Sequence, residues 1–164
     1  MIRESIIVFS VLFAILAVSA FGQQNARDWV NQGVALMSQG KYDDAIKAYD
    51  KAIELNQSTL ATAAAWNNKG VALKSQGKYD DAINAYDKAI GINPQDAVAW
   101  NNKGIALGNL GKDNEAIKAF EEAIRIDSSY ADAWNNKGIT LKALGLTTEA
   151  DEAFAKAKEL GYKG

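Results

Sequence analysis

The sequence predicts an all-α solenoid, a stack of four antiparallel helix hairpins, and three observations carry that reading. The four tryptophans fall at Trp29, Trp66, Trp100 and Trp134, intervals of 37, 34 and 34 residues. Each is followed four residues on by a glycine (Gly33, Gly70, Gly104, Gly138) and by another seven beyond that (Gly40, Gly77, Gly111, Gly145). Eight of the thirteen glycines therefore share one register. The single proline, Pro94, leaves long helices unbroken almost everywhere. A unit of this length cannot bury its apolar stripe alone and must stack on copies of itself.

The first element is residues 1–22. Ile6 to Ala20 runs fifteen residues without a charge behind Arg3 and Glu4, and small residues follow at Ser19, Ala20 and Gly22. A short charged start, an apolar middle and small residues at the end form an export signal, cut after Ala20 or Gly22. The rival reading is an uncleaved membrane anchor over residues 6–21. Its clearly apolar part falls short of the ~20 residues that span a bilayer. Either reading sends the rest of the chain out of the cytoplasm, to the periplasm, cell surface or exterior. No cysteine is present to carry a lipid.

Residues 26–164 form the solenoid, with repeats at 26–62, 63–96, 97–130 and 131–164. Within each first helix Trp, Gly and Leu at steps of four and three make one apolar stripe, as in Trp66, Gly70 and Leu73. The glycine on the stripe lets the second helix approach closely. Gly40, Gly77, Gly111 and Gly145 stand where the first helix stops and supply a left-handed turn. The second helix then opens on acidic pairs such as Asp43–Asp44 and Asp80–Asp81, which suit a helix N-terminus.

Its inner face carries Ala45, Ala82, Ala116 and Ala150, and four residues later Tyr49, Tyr86, Phe120 and Phe154. Thr62 and Asp96 precede the next first helix as N-caps. Repeat 1 is three residues longer, and the excess is placed in its closing loop. That loop holds the glycosylation triplet Asn56–Gln57–Ser58. Ile46 and Ile53, with their counterparts in repeats 2 and 3, become Asp151 and Lys158 in repeat 4, so the last helix reads as a polar cap.

WNNKGVAL at Trp66–Leu73, WNNKGIAL at Trp100–Leu107 and WNNKGITL at Trp134–Leu141, with Ala–x3–aromatic in each second helix, resemble the tetratricopeptide repeat. The departures are Lys or Gln for Leu, Leu for Tyr, and a closing Pro only at Pro94. The resemblance implies a right-handed superhelix of hairpins whose first helices line a concave groove that takes a protein or peptide.

Catalysis has nothing to work with. The chain has no histidine or cysteine, so imidazole bases, thiolates and the commonest zinc ligands are excluded. Gly108–Asn109–Leu110–Gly111–Lys112–Asp113 lacks the spacing and hydroxyl of a phosphate loop. The alternating carboxylates of a calcium loop are missing. No enzyme activity, cofactor, metal or small-molecule substrate is expected. A net charge of −2 gives no basic footprint for nucleic acid. Asp43→Lys47, Glu121→Arg125 and Glu152→Lys156, each four residues apart, read as ion pairs of a solvated outer face. The tryptophans read as core.

The helix face opposite the stripe identifies the candidate binding surface. Its amides are Asn31, Asn67, Asn68, Asn101, Asn102, Asn135 and Asn136, beside the aliphatic Val71, Ile105 and Ile139. A carboxamide pairs with a peptide C=O and N–H together, whatever the side chain. The alternative leaves each Asn bonded to its neighbouring helix. Arg27, Lys74, Lys142 and Asp132 add specificity. The resemblance also allows a C-terminal carboxylate clamp to be looked for. Its places hold Asn67, Val71, Asn102, Asp132 and Asn136, or Val30, Val34, Asn68, Val98 and Asn102, and no cationic clamp results. The function expected is a non-enzymatic scaffold of the cell envelope or exterior that binds an extended segment. The alternative is a membrane-anchored assembly subunit associating through repeat edges or with itself.

Overall fold

The structure, a computed structural model, describes residues 25–163, so the signal or anchor at residues 1–22 lies outside the described residues. Eight helices follow one another: α1 (Ala26–Ser38), α2 (Tyr42–Leu55), α3 (Thr59–Ser75), α4 (Tyr79–Ile92), α5 (Ala97–Asn109), α6 (Asp113–Ile126), α7 (Ala131–Ala143) and α8 (Thr147–Glu159). Among the described residues no helix is long and apolar enough to cross a membrane.

Each hairpin turn has the same origin. Gly40, Gly77, Gly111 and Gly145 take φ between 70° and 77°, a left-handed conformation that costs glycine nothing. In the first turn Lys41 N–H donates to the Leu36 carbonyl at 3.0 Å and Gly40 N–H to Met37 at 3.0 Å. These are the paired bonds that satisfy the last carbonyls of a helix. The same two bonds recur from Lys78 and Gly77, from Lys112 and Gly111, and from Leu146 and Gly145.

The stripe glycine brings the two helices of a hairpin together. A Cβ on Gly70 would stand 2.5 Å from Tyr86 Cε1, and one on Gly104 2.5 Å from Phe120 Cε1. The aromatic rings therefore lie flat on backbone. Tyr49, Tyr86 and Phe120 are the largest fully buried side chains, surrounded by alanines of the second helices. The tryptophans sit further out than a core position. Trp66 packs beside Ile46 and Ile83, and Trp134 beside Ile117 of the preceding repeat, yet all four indoles are only half-buried.

The lysine three residues after the indole covers the rest. Lys69, Lys103 and Lys137 Nζ lie 5.2, 5.4 and 5.9 Å from the ring centres of Trp66, Trp100 and Trp134. The same ammonium groups reach back to Asp50, Asp87 and Glu121 of the preceding second helix at 2.5, 2.6 and 2.8 Å. One side chain thus joins cation–π and ionic contacts across each repeat boundary.

Asp96 caps α5 as expected, its carboxylate accepting from Val98 and Ala99 N–H at 3.0 and 3.1 Å. Thr62 does not cap a helix. α3 begins at Thr59 after Ser58 and is 17 residues long, so the extra residues of repeat 1 extend a helix instead of a loop. The run Thr59–Ala65 is rich in alanine, the best helix former, and contains no breaker. Thr62 is buried within the first turn and donates from its hydroxyl to Ser58 O at 2.9 Å and Asn56 Oδ1 at 3.2 Å. Asn56 is an exposed left-handed C-cap with φ 41°.

The outer ion pairs also differ from expectation. Lys47 pairs with Asp44, Arg125 with Glu122 and Lys156 with Glu159, all three residues apart. Asp43 instead accepts from Gln76 Nε2 at 2.8 Å, and Glu121 is taken by Lys137.

Both ends of the stack are polar. Asp151 and Lys158 are exposed on α8. At the other end Asp28 occupies the place where Ala65, Ala99 and Ala133 are wholly buried. It forms a capping box with Asn25, whose side chain accepts from Asp28 N–H at 3.0 Å and whose N–H donates back at 3.2 Å.

Candidate peptide-binding groove

Successive first helices touch one another (α1 with α3, α3 with α5, α5 with α7), whereas second helices meet only first helices. Hairpins joined this way open on the second-helix side, so the inner wall is built by α1, α3, α5 and α7. Their exposed faces carry Val34, Val98 and Ile139, at 50%, 47% and 54% exposure. Asn31 and Lys142 are exposed there too, while Val71, Ile105 and Lys74 are half-buried.

The amides are not an open ladder. Asn101 and Asn135 are buried, at 4% and 9% exposure, and do not face a ligand. Asn102 Nδ2 donates to Asn67 Oδ1 at 3.2 Å, and Asn136 Nδ2 donates to Asn101 Oδ1 at 3.0 Å. Asn101 Nδ2 in turn reaches the Tyr130 hydroxyl at 3.4 Å. The rule is that the sixth residue of one repeat donates to the fifth residue of the repeat before it. Side chains at those two places face each other across adjacent first helices, and a buried amide is held only where it finds a partner.

The rule also says where it fails. Asn68 stands where its acceptor would be residue 30, and that residue is Val30. Asn68 is half-buried and makes no side-chain hydrogen bond in the described chain, so its carboxamide keeps both its donor and its acceptor. Asn31, in the first repeat, has no preceding repeat among the described residues.

Two hollows lie along this wall. One, of about 410 Å³, is lined by Arg27 and Val30 of α1 and by Leu60, Ala61 and Ala64 of α3. The additional turn of α3 creates it and leaves Leu60 at 68% exposure. The other, about 260 Å³, lies between α5 and α7 among Ile105, Ile139, Gly108 and Asn136, with Phe120 as its floor.

Sequence reasoning missed Leu60, because the extra residues were assigned to a loop. It also missed Tyr86, read only as core. Its hydroxyl is buried without a hydrogen-bond partner, and burial holds its pKa well above the usual phenol value. The change at that place from Tyr in repeats 1 and 2 to Phe in repeats 3 and 4 was the available signal.

Comparison with known proteins places these features in a family. Models described as tetratricopeptide repeat match residues 30–97, 97–130 and 119–152. No curated protein matches the chain. Among solved structures, the fold is similar to a crystal structure of MamA, with 29% identity, 83% of this chain and 78% of that chain covered, and a TM-score of 0.74. It is also similar to MamA from Desulfovibrio magneticus RS-1, from residue 41 to the end (24% identity, 83% and 75% covered, TM-score 0.73), a likeness of fold alone. The first TPR of Spaghetti (RPAP3), bound to the HSP90 peptide SRMEEVD, aligns at 25% identity over 76% of this chain and 96% of its own, with a TM-score of 0.69.

Proposed function

This chain belongs to the tetratricopeptide-repeat family, and from that premise we propose that it is a non-catalytic scaffold holding an extended segment of a partner protein along its first-helix wall. The observation that carries the reading is the row of Val34, Val98 and Ile139 left half-exposed on three of the four first helices. Beside the row, Asn68 offers an unengaged carboxamide for a peptide C=O and N–H. First helices ~8–10 Å apart and ~3.3 Å per residue of extended chain match one repeat to about three residues of a bound strand. A likeness to the RPAP3 domain that holds a peptide is further support.

The scaffold works outside the cytoplasm. Support comes from the fifteen uncharged residues Ile6 to Ala20 ahead of the solenoid. Association with itself through repeat edges is disfavoured by Asp28, Asp151 and Lys158, charged side chains whose burial in an end-to-end contact carries a desolvation cost.

The test is the triple variant Val34→Asp, Val98→Asp, Ile139→Asp in the full chain. Because these side chains stand half in water, melting should stay close to that of the parent, while crosslinking to the partner in the native envelope is lost. Undiminished crosslinking overturns the groove reading. N-terminal sequencing of the mature chain and fractionation test the location, which fails if the intact chain is recovered from the cytosol.

A further inference from the structure

Repeat 3 departs from its neighbours at two places, and both line the hollow between α5 and α7. Where the other repeats carry Met37, Lys74 and Lys142, repeat 3 has Gly108. A Cβ there would meet nothing within 4 Å, so the space between the two helices stands open. Where repeats 1 and 2 carry Tyr42 and Tyr79, repeat 3 has Asp113, which also lines the hollow. A volume of about 260 Å³ lies below the ~300–1,000 Å³ of sites for whole small molecules. It suits a single side chain.

The lining is of two kinds. Ile105, Ile139 and Ala143 form aliphatic walls, with Phe120 as the floor. The polar side chains, Asp113, Asn109, Asn136 and Thr140, are open as acceptors. Asn109 Nδ2 already donates to Ile105 O at 2.8 Å, Asn136 Nδ2 to Asn101 Oδ1 at 3.0 Å, and the Thr140 hydroxyl to Asn136 O at 3.0 Å. Among the described residues nothing donates to the side-chain oxygens of these three. The Asp113 carboxylate is half-buried, forms no ion pair and accepts no hydrogen bond among the described residues. A matching occupant is apolar along its stem and ends in N–H donors with a positive charge. Lysine and arginine are the side chains built this way. The wall's other hollow has Arg27 as its only charged lining residue, so a cation is directed to this one.

We propose that the segment held in the groove carries a lysine or arginine seated in the hollow between α5 and α7, its stem against Ile105 and Ile139 and its cationic end on Asp113. The inference rests on the groove reading above and adds the chemistry of the partner.

The experiment is selection of a displayed library of random dodecapeptides on the full chain, followed by affinity measurement on parent and variants. Selected peptides should share a lysine or arginine. Asp113→Asn should weaken them about five- to tenfold, between the worth of an exposed ion pair and that of a charged hydrogen bond. Asp113→Lys should select aspartate or glutamate in their place. Gly108→Met puts into the hollow the residue that repeat 1 has there, Met37. It should weaken the peptides at least as much while melting no lower than the parent, because methionine is the better helix former. Asp151→Asn, the same loss of charge on the exposed face of α8, should leave affinity unchanged. Peptides without a basic residue, equal affinity for parent and Asp113→Asn, or equal losses in Asp113→Asn and Asp151→Asn overturn this inference and leave the groove standing. Peptides that bind undiminished to Val34→Asp with Val98→Asp, which leaves the lining of the hollow intact, or the absence of any selected peptide, overturn the groove itself.

Discussion

Replacing Asn136 or Asn68 by alanine should move stability in opposite directions, although both occupy the sixth place of their repeats. Alanine is the better helix former by up to about 0.7 kcal/mol, and this gain is common to both. At Asn68 nothing opposes it, because the side chain makes no hydrogen bond, so Asn68→Ala should stabilise by roughly half a kcal/mol. At Asn136 the change removes a 3.0 Å bond and strands the Oδ1 of Asn101, which is 4% exposed. An acceptor left unpaired in the interior costs about 1–3 kcal/mol. The net result is a loss of roughly 0.5–2.5 kcal/mol. Urea unfolding followed by the emission of the four tryptophans reports both variants, and a double-mutant cycle between Asn101 and Asn136 should give a coupling near 1 kcal/mol. Equal effects at the two positions, or a coupling of zero, would refute the pairing rule.

Two further predictions follow from the glycines and the phenols. Gly104→Ala should destabilise, because overpacking against the buried ring of Phe120 costs about 1–3 kcal/mol against a propensity gain of about 1. Gly108→Ala meets nothing within 4 Å and should stabilise by about 1 kcal/mol; thermal melts of the two should move in opposite senses. Burial pushes Tyr49 up to about 12 and Tyr86 higher still, so folding favours the protonated phenols. Their contribution is complete below about pH 10, where unfolded tyrosine titrates, and drains away as pH rises from there through about 12. Melting between pH 9 and 11.5 should therefore fall less steeply in Tyr49→Phe with Tyr86→Phe than in the parent, and parallel curves would contradict the assignment.

Hairpins, turn glycines, the Asp96 cap and the polar α8 were legible because each depends on a residue's place within its own repeat. Helical angle puts Gly70 on the stripe that meets the second helix, and the spacing puts Gly77 beyond the helix end. The Asn pairs were not legible in the same way, since they depend on how far one first helix slides along the next. Only the stack itself determines that Asn102 finds Asn67 and that Asn68 makes no side-chain hydrogen bond. The lysine after each tryptophan was likewise opaque from one helix, because its carboxylate sits on the second helix of the preceding repeat. Thr62 misled for a different reason. A threonine before an alanine run satisfies the N-cap pattern, but Ser58 is an N-cap residue type too, and the alanines favour the longer helix that starts after it.

The charged residues at both ends of the described stack bear on how a client would load under the proposed function. Asp28 stands exposed at one face and Asp151 and Lys158 at the other, and the cost of burying charge disfavours lengthwise addition of copies, so each molecule would offer one short berth. A client with several such stretches recruits several molecules, one per stretch, and avidity grows with the client's own multiplicity.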